Sequence, residues 1–144
     1  MFHTMRRKIQ QLSPEEAEAV LLRGTAGVLA LAGDKAFPYA VPISYVYDGA
    51  HIYFHSALEG HKIDAIRQNP NASFAVIDQD EIIPEKYTTA FRSVIVFGSI
   101  RIIEDDAEKR ASIRKLAVKY APDNTEQQHA AITKIGRASC RERV

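Results

Sequence analysis

Ser56, Gly60, His61 and Lys62 cluster where an alternating aromatic run, Tyr53-Phe54-His55, gives way to a short helical pattern in which Ile63 and Ile66 share a face. The order strand, polar loop, helix start leaves backbone N–H groups free at the first turn, with the positive end of the helix dipole behind them. Gly60 lets the chain approach a ligand closely, Ser56 offers a hydroxyl, and Lys62 adds a full positive charge. The chemistry is that of an anion cradle for a phosphate or carboxylate. The same residues also fit an ordinary strand-to-helix connection with a solvated lysine, and the run is neither a Walker nor a dinucleotide fingerprint.

Metal binding competes for the same stretch, because His51, His55 and His61 are close in sequence. On an extended strand His51 and His55 share a side but stand about 13 Å apart, too far for one ion. His55 and His61 could converge across the loop, but no carboxylate or cysteine is placed to join them. No metal site is therefore expected. Nor is there a carboxylate pair for acid–base work: Glu15-Glu16 belong to a helix start, and Glu104-Asp105-Asp106 suit a solvated helix start favoured by the dipole.

The elements that must position the cradle can be read from pattern. Ser13-Pro14-Glu15-Glu16 is a capping box opening a helix to Arg23, which Gly24 stops. Gly27 to Ala32 is an apolar run of strand length, and Gly33-Asp34-Lys35 turns into Pro38 to Ser44. Prolines 38 and 42 remove ladder donors, which places that strand at an edge, a bulge or a ligand site. Asp48-Gly49 predicts a hairpin that pairs the strand of Ser44 with the strand of His55. Asn69-Pro70-Asn71 ends the short helix, a strand runs from Ala72 to Ile77, and Asp78 to Thr89 reads as a loop or flap. A long strand from Arg92 to Ile103 is expected to bulge at Gly98. Asp105-Asp106 opens a last helix through Tyr120, with Ile113, Leu116, Ala117 and Tyr120 on one stripe as core.

This succession predicts a mainly β (α+β) fold, a small barrel or sandwich with appended helices. So small a barrel has little interior room, so a nucleotide would lie on its outer wall and a second copy could cover it. The chain has 144 residues, 46% of them hydrophobic, and a net charge of +1, which suits one domain with a core and argues against nucleic acid. No run approaches the roughly 20 apolar residues of a membrane span, and the start carries no apolar leader, so a soluble, cytoplasmic protein is expected. Cys140 is the sole cysteine and can form no internal disulfide. Residues 135–144 break the preceding helical pattern and match, in one reading frame, the translation of a short-read sequencing adapter. They are expected to be non-native, with residues 1–134 a single domain truncated at its C-terminal end.

Residues Tyr53 to Pro70 resemble the FMN-binding segment of the split-barrel flavoproteins related to pyridoxamine 5′-phosphate oxidase, most of all their nitroimidazole-reductase-like branch. The likeness extends, in family order, over Met5 to Lys8, Arg23 to Ala30, Pro38 to Tyr47, Val76 to Asp80 and Phe91 to Gly98. It implies an FMN-binding split β-barrel that is homodimeric with the cofactor at the interface. Lys62, with Ser56 and the backbone of Gly60 and His61, would hold the phosphate, while Val41, Pro42, Ile43 and Ser44 would lie along the ring and ribityl chain. Tyr53, Phe54 and His55 would complete that wall, and Arg92 and Ser93 would contribute from the adjacent strand or the partner chain. Flavin supplies the redox chemistry, so no catalytic side chain need be found. The implied activity is reduction of a small acceptor such as a nitroaromatic by a reduced nicotinamide. Pyridoxamine 5′-phosphate oxidase activity is the alternative enzyme, and a flavin or haem carrier, with His55 as axial ligand, is the non-catalytic one.

Overall fold

The computed structural model describes residues 4–33, 37–55 and 60–125, and the backbone of 139–143. Helix α1 (Pro14–Arg23) starts with the predicted capping box: Ser13 Oγ accepts from the Glu16 N–H at 3.2 Å, and the Glu16 carboxylate accepts from the Ser13 N–H at 2.8 Å. Gly24 does end this helix, but with φ −66° and hence no left-handed cap. A Cβ there would collide with the Tyr45 hydroxyl and Val76, so close packing is what demands glycine.

Strands β1 (Ala26–Leu31), β2 (Tyr39–Tyr47), β3 (His51–His55), β4 (Asn71–Ile83), β5 (Thr88–Ile103) and β6 (Ser139–Arg143) close into an antiparallel barrel in the order β1-β2-β3-β6-β5-β4. Alternation decides what each strand buries. Leu29, Tyr45, Ile52, Phe54, Phe74, Val96 and Ile100 fill the interior. The Phe74 ring stands edge-on to both Tyr45 and Phe54, each at 4.9 Å. The Tyr45 hydroxyl donates to the Leu21 carbonyl at 2.7 Å, and burial pushes its phenol up to about 12. Helix α1 closes one end of the barrel with Val20 and Leu21. Helix α2 (His61–Gln68) closes the other with Ile63 and Ile66. Helix α3 (Asp106–Tyr120) lies outside, where Leu116 packs on Val46, Tyr53 and Ile103.

The expected hairpin is present: Gly49 has φ 95°, and Asp48 Oδ1 accepts from the Ala50 and His51 N–H groups at 2.9 and 2.7 Å. Pro42 fits its predicted edge character in part. Residues 39–44 pair with β1, whereas β2 meets β3 only at Tyr45, Val46 and Tyr47, so the first half of β2 has one ladder partner.

Two expectations are corrected. Gly98 pairs regularly with Ala72, and the register shift falls between Ile77 and Gln79, where Asp78 is the extra residue. Nor is Asp78 to Thr89 a loop: beyond that bulge β4 and β5 continue as a two-stranded arm from the Gln79–Arg92 pair to the Ile83–Thr88 pair. A 3₁₀ turn over Pro84–Lys86 and a left-handed Tyr87 (φ 48°) close it. The polar alternation of the segment reflects a ribbon with both faces open to solvent. The backbone of residues 139–143, in the stretch expected to be non-native, pairs with both β3 and β5 through main-chain groups that any sequence supplies.

Candidate functional site

The first hydrogen bond of α2 runs from the Asp64 N–H to the Gly60 carbonyl at 3.2 Å, so the N–H groups of His61, Lys62 and Ile63 precede the helical ladder. Gly60 offers no capping side chain, and its φ of 135° is one that glycine adopts freely. Among the described residues, nothing lies within 4 Å of where a Cβ on Gly60 would be. Among the described residues no side chain caps this helix start, and Lys62 is half-buried beside it. These features fit an anion such as a flavin phosphate. Ser56, the hydroxyl expected here, lies outside the described residues. The His61 ring packs on Tyr39, with ring centroids 4.6 Å apart, and so joins the cradle to the head of β2.

From that corner β2 runs down the outside of the barrel. Ala40, Pro42 and Ser44 are exposed, whereas Val41 and Ile43 turn inward against the core. The expected ring-and-ribityl strand thus presents Pro42 and Ser44 as side chains, with Val41 and Ile43 offering backbone. Tyr53 and Phe54 do not complete the outer wall: Phe54 is wholly inside the barrel and Tyr53 is covered by α3. Only His55 of that trio, half-buried one step beyond the Tyr45–Phe54 pair, stands near Ser44.

Arg92 and Ser93 lie elsewhere. β1 and β4 stand between β2 and β5, which removes the adjacent-strand route for these two residues. They also sit at the α1 end of the barrel, opposite α2. Arg92 has a carboxylate in its own chain, with Asp78 at 3.7 Å, and Arg23 holds the same carboxylate at 2.6 Å. The Arg23 hydrogen bond opposes the burial penalty and, with the charges of Arg23 and Arg92, holds the Asp78 carboxyl below its ordinary range. Ser93 is exposed on the outer face.

Sequence reasoning missed the lower boundary of the β2 wall. The Tyr120 hydroxyl accepts from the Tyr45 N–H at 2.9 Å, and its proton is shared between the carbonyls of Thr25 and Tyr45, the latter at 2.7 Å. Lys119 donates to the carbonyls of Gly24 and Tyr45 and lies 4.1 Å above the Tyr45 ring. Burial lowers the pKa of its ammonium. Tyr120 shares a helical stripe with core residues, and nothing in that spacing distinguishes a tyrosine that reaches the strand backbone. Among the described residues, no group of three or more His, Cys, Asp or Glu could hold a metal, and no helix is long and apolar enough to cross a membrane.

A family model described as pyridoxamine 5′-phosphate oxidase matches residues 13–142. The chain belongs to this family of split-barrel flavoproteins. An uncharacterised protein of Rhizobium meliloti (strain 1021) is 36% identical over 70 residues, which are 49% of this chain and 45% of that relative's length. A candidate 5-nitroimidazole antibiotic resistance protein from Bacteroides thetaiotaomicron superposes with a TM-score of 0.76 at 22% identity, covering 93% of this chain and 81% of its own. An FAD-binding protein from Mesorhizobium loti gives a TM-score of 0.64 at 27% identity, with 92% and 90% covered.

Proposed function

We propose that this member of the pyridoxamine 5′-phosphate oxidase family binds FMN, and as a homodimer reduces a small acceptor such as a nitroaromatic with electrons from a reduced nicotinamide. The observation that carries the reading is the start of α2, whose first-turn N–H groups precede the helical ladder and which no described side chain caps, with Gly60 and Lys62 at the head of β2. From Tyr39 to Ser44 that strand extends about 17 Å, comparable with an outstretched flavin mononucleotide. Lys62 and the first-turn amides would hold the phosphate, Pro42 and Ser44 would lie along the ring, and Tyr120 would bound its lower end. Bound flavin supplies hydride and electron transfer; these residues bind and orient it.

The shape of the outer wall supports the dimer. Val28, Ile77, Ile95 and Phe97 are between 36% and 58% exposed on the contiguous strands β1, β4 and β5, a patch larger than scattered surface hydrophobes produce. Two convex walls touching along the line between β1 and β4 leave a groove on each side. With the two-fold axis along that line, each groove has β2 of one copy on one side and β5 of its partner on the other. The route for Ser93 to a flavin is then through the partner copy.

The test is optical. Purified protein should be yellow with a flavin spectrum, bleach on adding NADH or NADPH without oxygen, and recolour with a neutral nitroimidazole. Colourless protein that takes up no FMN contradicts the cofactor; bound flavin that does not bleach contradicts the reductase.

A further inference from the structure

The β4–β5 arm extends the outer wall beyond the end of the barrel that carries Ser44 and Ser93. Along β5 the residues Phe91, Ser93, Ile95 and Phe97 all face outward, because the bulge at Asp78 lies on β4 and leaves the β5 alternation intact. Phe91 is 59% exposed, and Ile82, diagonal to it on the same face of the ribbon, is 74% exposed. The outer face of the barrel wall thus continues onto the arm, where Phe91 and Ile82 share it with Ser93, Asp80 and Thr89. Asp78 lies at the root of the arm between Arg23 and Arg92, and the Arg23 contact ties that root to the end of α1.

Register then places this ribbon relative to a flavin. Ser44 pairs with Ala26 and Ser93 pairs with Ile77; continuing the Val28–Ala75 register by two steps sets Ala26 opposite Ile77. Ser44 and Ser93 are therefore at one height, and a two-fold axis along the strands brings the arm of one copy to the lower end of the other's β2. Four strands at about 4.8 Å spacing plus the arm give a surface on the order of 600 Å² in plan, close to the ~800 Å² per partner of a standard interface. A second copy is accordingly the occupant that this face fits.

Resting on the FMN reading above, we infer that the arm acts in trans: its Ile82–Phe91 face forms the acceptor-side wall of the second copy's flavin groove, opposite Tyr120. A flat apolar acceptor fits between an aromatic ring and this wall. Asp80, Glu81 and Glu85 on the arm outnumber Lys86 and Arg92, the latter held against Asp78, and disfavour anionic acceptors, phosphorylated ones above all. The arm therefore selects neutral or cationic aromatic acceptors.

The test is complementation between two defective chains. Lys62→Ala weakens flavin binding, and Ile82→Asn with Phe91→Ser removes the arm's apolar face; differently tagged copies are co-expressed and the mixed dimers isolated. Trans action leaves one intact site per mixed dimer and restores about half of the wild-type rate with a subsaturating neutral nitroimidazole, whereas either parent dimer falls at least tenfold. Mixed dimers no more active than the parents, in a wild-type background that binds FMN and turns over, overturn the arm's role and leave the FMN reading standing. Wild-type protein that takes up no FMN overturns both. As a second arm, Glu81→Lys with Glu85→Lys in otherwise wild-type protein lowers KM for p-nitrobenzoate at least threefold relative to the neutral nitroimidazole. An unchanged ratio counts against charge selection.

Discussion

Ser44 on β2 and Ser93 on β5 stand at the same height on the outer wall, at its two lateral edges, with β1 and β4 between them. Three strand spacings separate them by about 14 Å, so a flavin lying along β2 does not reach Ser93 of its own chain. Across a two-fold axis the two edges face each other. A cofactor that depends on both therefore depends on dimerisation.

Val28 lies beside the proposed axis, paired with Pro42 on one side and Ala75 on the other. Val28→Asp puts a charge there without touching the interior, since its side chain is on the solvent face. Sedimentation should show the wild type as a dimer and the variant as a folded monomer, with FMN affinity reduced at least tenfold. A Val28→Asp protein that remains a dimer would remove this wall from the interface.

Tyr120→Phe should cost about 1–3 kcal/mol, because it removes the group that the Tyr45 N–H and the Thr25 and Tyr45 carbonyls share. Urea unfolding measures the loss. If stability is unaltered, the hydroxyl is not what fastens the end of α3 to the β1–β2 ladder.

The hairpin latch predicts an acid limb of stability. Burial raises the Asp48 carboxyl, but Lys115 at 2.8 Å and the Ala50 and His51 N–H groups outweigh it and hold the group well below the usual carboxylate range. A depressed carboxylate stabilises the fold above its unfolded value, near 4, and the benefit fades as pH falls from there through the folded value. Denaturation midpoints between pH 6 and pH 2 should therefore fall less steeply in Asp48→Asn than in wild type. Parallel curves would mean the latch carries no linkage.

Local signals of fixed geometry were legible in the sequence. The Ser13–Glu16 box and the Asp48-Gly49 turn depend on residues a few positions apart, and both appear as read. The start of α2 was legible for the same reason: Gly60 and Lys62 sit where their own neighbours specify a helix N-terminus. Side-chain direction on β2 and β3 follows from period-two alternation, yet which face is inside depends on partners distant in sequence. The resemblance implies Tyr53 and Phe54 in the ligand wall, whereas Phe54 points into the barrel and α3 covers Tyr53, through contacts with residues distant in sequence. The arm was hidden because polar residues stand among the apolar ones on both its faces, Asp80 and Thr89 beside Phe91 and Ile82 on one and Glu81 and Arg92 beside Ala90 on the other. Gly98 was read as a bulge from residue type, whereas the register shift sits at Asp78, where two arginines meet its carboxylate.

The most direct measurement is an FMN titration, followed by flavin fluorescence, of wild type beside Lys62→Ala. Loss of one charge-assisted phosphate contact, worth about 1.5–3 kcal/mol, should raise Kd roughly 10- to 150-fold while the fold and dimer persist. An unchanged Kd in a folded, dimeric variant would contradict the placing of the flavin phosphate at the start of α2.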